Sequence, residues 1–212
     1  MILVGQFDSP YTRRVAIALH LLGLPFTRNT LSGFGDAEAM RRINPLGRIP
    51  SLMLDDGEVI IDSSAILDHV DELVGPERAL LPRAGRERRL ALRVAALANG
   101  VVDKAGAIVY EAALRPADKI HAPWIERCRI QVDSGLAALE TLTGAGWYVG
   151  DRPLQPDITV ACALAYLRLR LPDALAGDAY PKLKAFAARF DRLPAFVATA
   201  PALDEVMPGR PL

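Results

Sequence analysis

Three short stretches hold residues whose types and spacing can do chemistry. In the first, Ser9-Pro10-Tyr11-Thr12 follows an apolar run and precedes a helical pattern. Pro10 suits the first helical position, where its missing N–H is not needed. That makes Ser9 the expected N-cap. As a cap, Ser9 accepts a backbone N–H and contributes about 1 kcal/mol over alanine. As a donor, it aims a proton at a ligand anion that the positive end of the helix also attracts. The local sequence leaves both readings open. In the second stretch, Arg48-Ile49-Pro50, the proline stands immediately before an apolar strand. It reads as the plain start of that strand. With a cis Ile49–Pro50 bond it also exposes the Ile49 N–H and C=O, and an extended peptide can pair with them as an added strand. In the third stretch, Asp62-Ser63-Ser64, one of the two serines is the expected cap of another helix. Free N–H groups there can hold a carboxylate, and Asp62 can hold an ammonium. The pair suits the two charges of an α-amino acid; the plainer reading is a cap beside a solvated acid.

The elements that must position these residues are legible from pattern. ILVGQF reads as a buried strand, TRRVAIALHLLGL as a helix ending near Gly23, and FTRNTL as a second strand, a βαβ unit. SLML and EVII flank Asp56-Gly57 as a hairpin. SSAILDHVDEL follows as a helix, so the order is β-α-β-(α)-β-β-α. Period-2 patterning then stops at VGPERALLPRAGRERR, a stretch of glycine, proline and charge. Beyond it Leu90, Val94, Leu97, Val101, Ala105 and Ile108 mark one apolar helix face, and Trp124, Cys128, Val132, Leu136 and Leu139 mark another. DITVACALAYLRLRL is apolar on most sides and reads as a central, buried helix. YPKLKAFAARFDRLPAF supplies a shorter helix before the tail.

Composition excludes several classes. The 25 basic and 25 acidic residues balance, so there is no basic field for nucleic acid. No apolar run reaches the ~18 residues that span a bilayer. The start, MILVGQF, lacks a basic n-region and is expected to be a strand rather than a signal peptide. Cys128 and Cys162 have no metal or disulfide spacing and read as buried free thiols, which fits a reducing cytoplasm. His20, His69 and His121 are scattered, so no metal is expected.

In this order and at these separations, SPYTRRVAIAL, NPLGRIPSLMLDDG, IIDSSAIL and the later GDRPLQPDITVACAL resemble the signatures of the glutathione transferase family, in a bacterial form with a serine-type turn. The likeness covers nearly the whole chain. It implies a thioredoxin-like α/β domain over 1–77, an all-helical domain over 86–212, a homodimer and a cytoplasmic detoxification enzyme. Glutathione is then the co-substrate, with a small hydrophobic electrophile as the other partner and no metal, nucleic acid or membrane. Glutaredoxin-like relatives carry Cys-Pro-Tyr-Cys at the turn; here both sulfurs are hydroxyls, so the thiolate has to come from the substrate. The resemblance makes Ser9 the donor to the glutathione sulfur, with Thr12 in reserve. Lowering a thiol pKa of ~8.5 by ~2 units takes about 2.7 kcal/mol. One charge-assisted hydrogen bond plus a helix dipole supplies that order of energy. The resemblance also gives Ile49, beside a cis Pro50, the pairing with the cysteinyl unit. It gives Asp62 and Ser63 the γ-glutamyl end, Arg48 the glycyl carboxylate, and Asp103 an approach to the γ-glutamyl amine from a partner subunit. Tyr11, Tyr110 and the segment YEAALRP are expected to line an electrophile pocket between the domains, with helix packing an equal reading for Tyr110. The two long helices, 86–114 and 123–143, are the expected dimer interface.

The chain also departs from the family pattern. Asp62 replaces a Glu or Gln and is one methylene shorter. Leu154 stands where a Ser or Thr completes a capping box with Asp157, so Leu154→Thr is expected to stabilise by roughly 0.5–1 kcal/mol. The turn lacks the Ser-Ser-Cys of the isomerase-type class, so maleylacetoacetate isomerase activity is not expected. Peroxide reduction and dehalogenation stay open as side activities. The rival reading is a non-catalytic binding or assembly module on the same fold, which commonly loses the turn hydroxyl or the γ-glutamyl serine; Ser9 and Ser63 are both kept. A thiol reductase needs a cysteine where Ser9 stands.

Overall fold

Leu3 and Val4 are fully buried because their strand, β1 (Ile2–Val4), has neighbours on both edges. With β2 (Thr27–Asn29), β3 (Ser51–Met53) and β4 (Val59–Ile61) it forms one sheet in the order β2-β1-β3-β4. The computed structural model describes residues 1–206. α1 (Pro10–Leu22) crosses from β1 to β2, and these two strands are parallel, as the βαβ pattern requires. The predicted hairpin is present: β3 and β4 are antiparallel, with Gly57 at φ 93° in the turn. α2 (Ala37–Ile43) and α3 (Ser63–Val74) complete the expected order. This is the small mixed sheet with helices of a thioredoxin-like domain.

Register decides where the three chemical stretches meet. Val4 lies opposite Ser51, and Ser51 lies opposite Ile61. These residues form one row across the sheet. The turn to Ser9, the Ile49–Pro50 bond and Asp62-Ser63 all attach just beyond that row, so all three leave the sheet at the same end.

The chain divides into two units, Met1–Arg83 together with the stretch from Arg192, and Ala84–Asp191. The second is helical: α4 (Gly85–Leu114), α5 (Ala122–Leu142), α6 (Gln155–Arg170) and α7 (Pro181–Phe190). Of the α4 stripe, Val94, Val101, Ala105 and Ile108 are buried, while Leu90 and Leu97 are half-buried. On α5, Cys128, Val132, Leu136 and Leu139 are buried, whereas Trp124, in the first turn, stays 38% exposed. Gly135 of α5 lies against Val101 of α4 so closely that a Cβ there would overlap the Val101 Cγ2. α6 is buried without a break from Pro156 to Leu164, which makes it the central helix the sequence indicated. Cys128 and Cys162 are both buried free thiols.

Asp157 organises the start of α6. Its carboxylate accepts the Leu154 N–H (3.0 Å) and the Tyr148 N–H (3.0 Å). Burial pushes its carboxyl up to about 6, although those two N–H donors, its own N–H and Arg189 oppose the rise. The capping box is therefore half made: Leu154 is the N-cap and has no side-chain acceptor to return. The leucine is also buried, 8% exposed, and its Cδ1 lies over Gly150. That burial reverses the sequence-based expectation for Leu154→Thr, because the lost apolar contact outweighs the gained cap.

The last part of the chain corrects a second expectation. Pro194 interrupts the helix read through YPKLKAFAARFDRLPAF and starts a separate one, α8 (Pro194–Ala198), followed by α9 (Leu203–Val206). The family resemblance placed these residues in an all-helical domain running over 86–212. From Arg192 onward, however, the described chain groups with the first unit, and residues 207–212 lie outside the described residues. The Arg13 guanidinium donates to the Phe196 C=O (3.0 Å) and stacks on its ring at 3.8 Å, which ties α8 to α1.

Candidate active site

Ser9 caps α1 as its neighbours predict. Its φ and ψ of −73° and 119° are extended, and its Oγ accepts the Thr12 N–H at 3.4 Å. A hydroxyl oxygen that accepts still has its proton to give. Among the described residues the Ser9 hydroxyl has no acceptor for that proton. Ser9 is half-buried at the positive end of a thirteen-residue helix whose first turn holds no acidic residue. The Thr12 hydroxyl is placed differently. It is fully buried, has no hydrogen-bond partner among the described residues, and faces Gly5.

Gly5 explains how the turn and the second stretch come together. At φ +137° its conformation disfavours a side chain, and a Cβ there would lie 2.6 Å from the Thr12 Oγ1 and 3.0 Å from the Ile49 Cβ. The Ile49–Pro50 bond is cis. Pro50 is buried and Ile49 half-buried, and no described residue pairs with the Ile49 backbone N–H or C=O. The loop before it is held by Asn44, whose Nδ2 donates to the Arg48 C=O (2.8 Å) and whose Oδ1 accepts the Leu46 N–H (3.0 Å). Arg48 is exposed, and among the described residues its guanidinium has no partner.

At the third stretch the cap is Asp62, where the sequence pointed to Ser63 or Ser64. Its Oδ1 accepts the Ser64 N–H at 2.7 Å. Asp62 is also the one non-glycine residue with positive φ, 71°, among those described. Such a conformation costs of order 1 kcal/mol and is found most often at ligand clamps. Asp62 is exposed, and its second carboxylate oxygen has no hydrogen-bond partner among the described residues. Ser63 is 2% exposed.

Arg14 was missed in the sequence reading. It is buried on α1, donating to the Ser63 Oγ from Nε (3.1 Å) and Nη2 (2.8 Å), and to the Ser64 Oγ (2.8 Å). Because Ser63 already accepts from a cation, its own proton remains available to donate. The signal was present: Arg14 lies three and four residues before Ile17 and Ala18, on a core-facing side of α1, where an arginine needs partners. Arg14 also links the helix that Ser9 caps to the helix that Asp62 caps.

Ser9, Thr12, Tyr11, Arg48, Ile49, Pro50, Asp62 and Ser63 therefore all belong to the first unit, at or beside one end of its sheet. Asp103 and Tyr110 do not; both are exposed positions of α4 in the second unit. Among the described residues no group of His, Cys, Asp and Glu is arranged to hold a metal ion, and no helix is long and apolar enough to cross a membrane.

Known proteins resemble this chain over most of its length. The family model described as glutathione S-transferase, N-terminal domain, matches residues 3–78, and that described as glutathione S-transferase, C-terminal domain, matches 122–189. The uncharacterized GST-like protein YibF of Escherichia coli K12 is 31% identical over 170 residues, 80% of this chain and 83% of that protein. The maleylacetoacetate isomerase of Pseudomonas aeruginosa PAO1 is 32% identical over 212 residues, 95% of this chain and 96% of that one. Among solved structures, a glutathione S-transferase from Methylobacterium radiotolerans in complex with glutathione sulfonate has a TM-score of 0.86 at 33% identity, covering 94% of both chains. A family member from Pseudomonas fluorescens Pf-5 with bound glutathione has a TM-score of 0.83 at 35% identity, covering 95% of this chain and 99% of that one. With both halves matched in order and relatives above 30% identity spanning nearly the whole chain, this protein belongs to the glutathione S-transferase family.

Proposed function

We propose that this chain is a glutathione transferase in which Ser9 donates a hydrogen bond to the glutathione sulfur, holds it as thiolate, and so promotes its attack on a small hydrophobic electrophile. The observation that carries this reading is the state of the Ser9 hydroxyl: its oxygen caps α1, and its proton has no acceptor among the described residues. Such a hydroxyl at a helix N-terminus is prepared for an anion that arrives with the substrate. The buried Thr12 hydroxyl is less suited to that role. The remaining roles follow glutathione's chemistry. The open Ile49 N–H and C=O pair with its cysteinyl unit, as an added strand does. The Ser63 hydroxyl, already accepting from Arg14, donates to the γ-glutamyl carboxylate, and the exposed Asp62 carboxylate takes the amine. The exposed Arg48 guanidinium takes the glycyl carboxylate. Glutathione sulfonate bound in a solved structure at 33% identity, and glutathione bound in one at 35%, support the same choice of co-substrate. We further propose a cytoplasmic homodimer.

The test is conjugation of glutathione to an aryl halide by wild type and Ser9→Ala. If Ser9 supplies ~2.7 kcal/mol together with the helix end, the variant loses about one to two orders of magnitude in kcat/KM. Unchanged activity in the variant removes Ser9 from the mechanism. A second reading has a specific observation in its favour, the 32% identity to a maleylacetoacetate isomerase. Against it, the turn reads Ser9-Pro10-Tyr11-Thr12 without a cysteine, and both cysteines of the chain are buried in the second unit. Isomerisation of maleylacetoacetate by the wild type at a rate above conjugation would favour it. Glutathione binding without either activity would favour a binding module.

A further inference from the structure

The tail reaches the turn that carries Ser9. Glu205, on α9, is 7% exposed. Its Oε1 accepts the Phe7 N–H at 3.0 Å and pairs with the Arg28 guanidinium, while its Oε2 accepts the Ala202 N–H at 2.7 Å. The Arg28 guanidinium carbon in turn lies over the Phe7 ring, 3.4 Å from its centre. Phe7 is the second residue of the turn that the Ser9 N–H closes onto the Gln6 C=O at 3.3 Å. That closing bond is long, so the turn depends on what else holds it. We infer that Glu205 is a positioning residue for the thiolate site: it fixes the Phe7 N–H from the side of the tail and thereby sets where the Ser9 hydroxyl points. A carboxylate buried at this cost is stabilised by two N–H groups and a cation, and one of those N–H groups belongs to the active-site turn. Arg28 serves twice, neutralising Glu205 and clamping the Phe7 ring. The inference rests on the proposal that Ser9 stabilises the glutathione thiolate.

The test measures the absorbance of glutathione thiolate against pH on the full chain, for wild type, Glu205→Gln, Glu205→Asp and Glu205→Ala, beside the thermal midpoint of each. Glu205→Gln keeps an acceptor for the Phe7 N–H and is expected to keep the thiolate titration near its wild-type position. Glu205→Ala is expected to move its midpoint up by about one pH unit, with a tenfold loss in kcat/KM. Glu205→Asp, whose carboxylate falls short of Phe7 by one methylene, is expected to lie between them, and it serves if the alanine variant does not fold. A lower thermal midpoint with an unmoved thiolate titration in the alanine or aspartate variant overturns the inference and leaves Glu205 as a structural strap. Absence of a bound thiolate in the wild type overturns the reading of Ser9 itself, and this inference with it.

Discussion

Ser9 divides the work of its hydroxyl: the oxygen accepts the Thr12 N–H and the proton remains for a ligand. The choice between cap and donor that the sequence left open is thus no choice, since one group can do both. Arg14 does for Ser63 what Thr12 does for Ser9, occupying the oxygen so that the proton is left to donate. Gly5 belongs to the same scale. Gly5→Ala would force its Cβ against Thr12 and Ile49 from a backbone conformation that side chains avoid. We expect a loss of roughly 1–3 kcal/mol in urea unfolding, accompanied by weaker glutathione binding in calorimetry because both Ile49 and the Ser9 turn shift. An alanine variant with wild-type stability would show that these contacts are loose.

At the scale of elements, the N-terminus of α6 carries a pH-dependent term. The Asp157 carboxyl titrates in the folded protein at about 6, above its ordinary value of 3.8. The native state therefore binds the extra proton between these values, and the stability it brings is full below the lower value and lost as pH rises through about 6. Compared with Asp157→Asn, the wild type should gain on the order of 2–3 kcal/mol when urea unfolding is moved from pH 7.5 to pH 4. A difference between the two proteins that does not change with pH would contradict the assignment. For Leu154→Thr we expect a lower thermal midpoint; a rise would show that the cap outweighs the buried leucine. Gly135→Ala tests the α4–α5 contact, where the new methyl meets a β-branched Val101 with restricted χ1. The helix-propensity gain of about 1 kcal/mol offsets part of an overpacking cost of roughly 1–3 kcal/mol, so a net destabilisation is expected.

Across the whole molecule, the sequence resolved what periodicity and turn chemistry control. The order of elements along the first domain, the hairpin at Asp56-Gly57, the stripes of α4 and α5 and the all-round burial of α6 were each readable from local pattern. The ordered motifs located the three loops, and the Val4–Ser51–Ile61 row explains why those loops share one end of the sheet. Long-range placement was not readable. The segment after Arg192 looks like more helix, and the Arg13–Phe196 and Glu205–Phe7 bonds, across 183 and 198 residues, together with the Arg28–Glu205 pair, tie it to the first unit. The Asp62 cap was hidden because two serines follow it and both are better-known caps than an aspartate at positive φ. The proposed dimer belongs to this scale as well. Leu92, Leu114, Trp124 and Ile130 leave apolar surface on α4 and α5, and light scattering should return about twice the 22.9 kDa of one chain. A mass near 22.9 kDa would refute it. The central claim, however, concerns one sulfur and one hydroxyl, and its most direct test is the ultraviolet absorbance of glutathione thiolate titrated against pH with wild type and Ser9→Ala. The account predicts a bound thiolate with a midpoint about 2 units below that of free glutathione, lost or moved back in the variant. A thiolate that survives Ser9→Ala unchanged would contradict it.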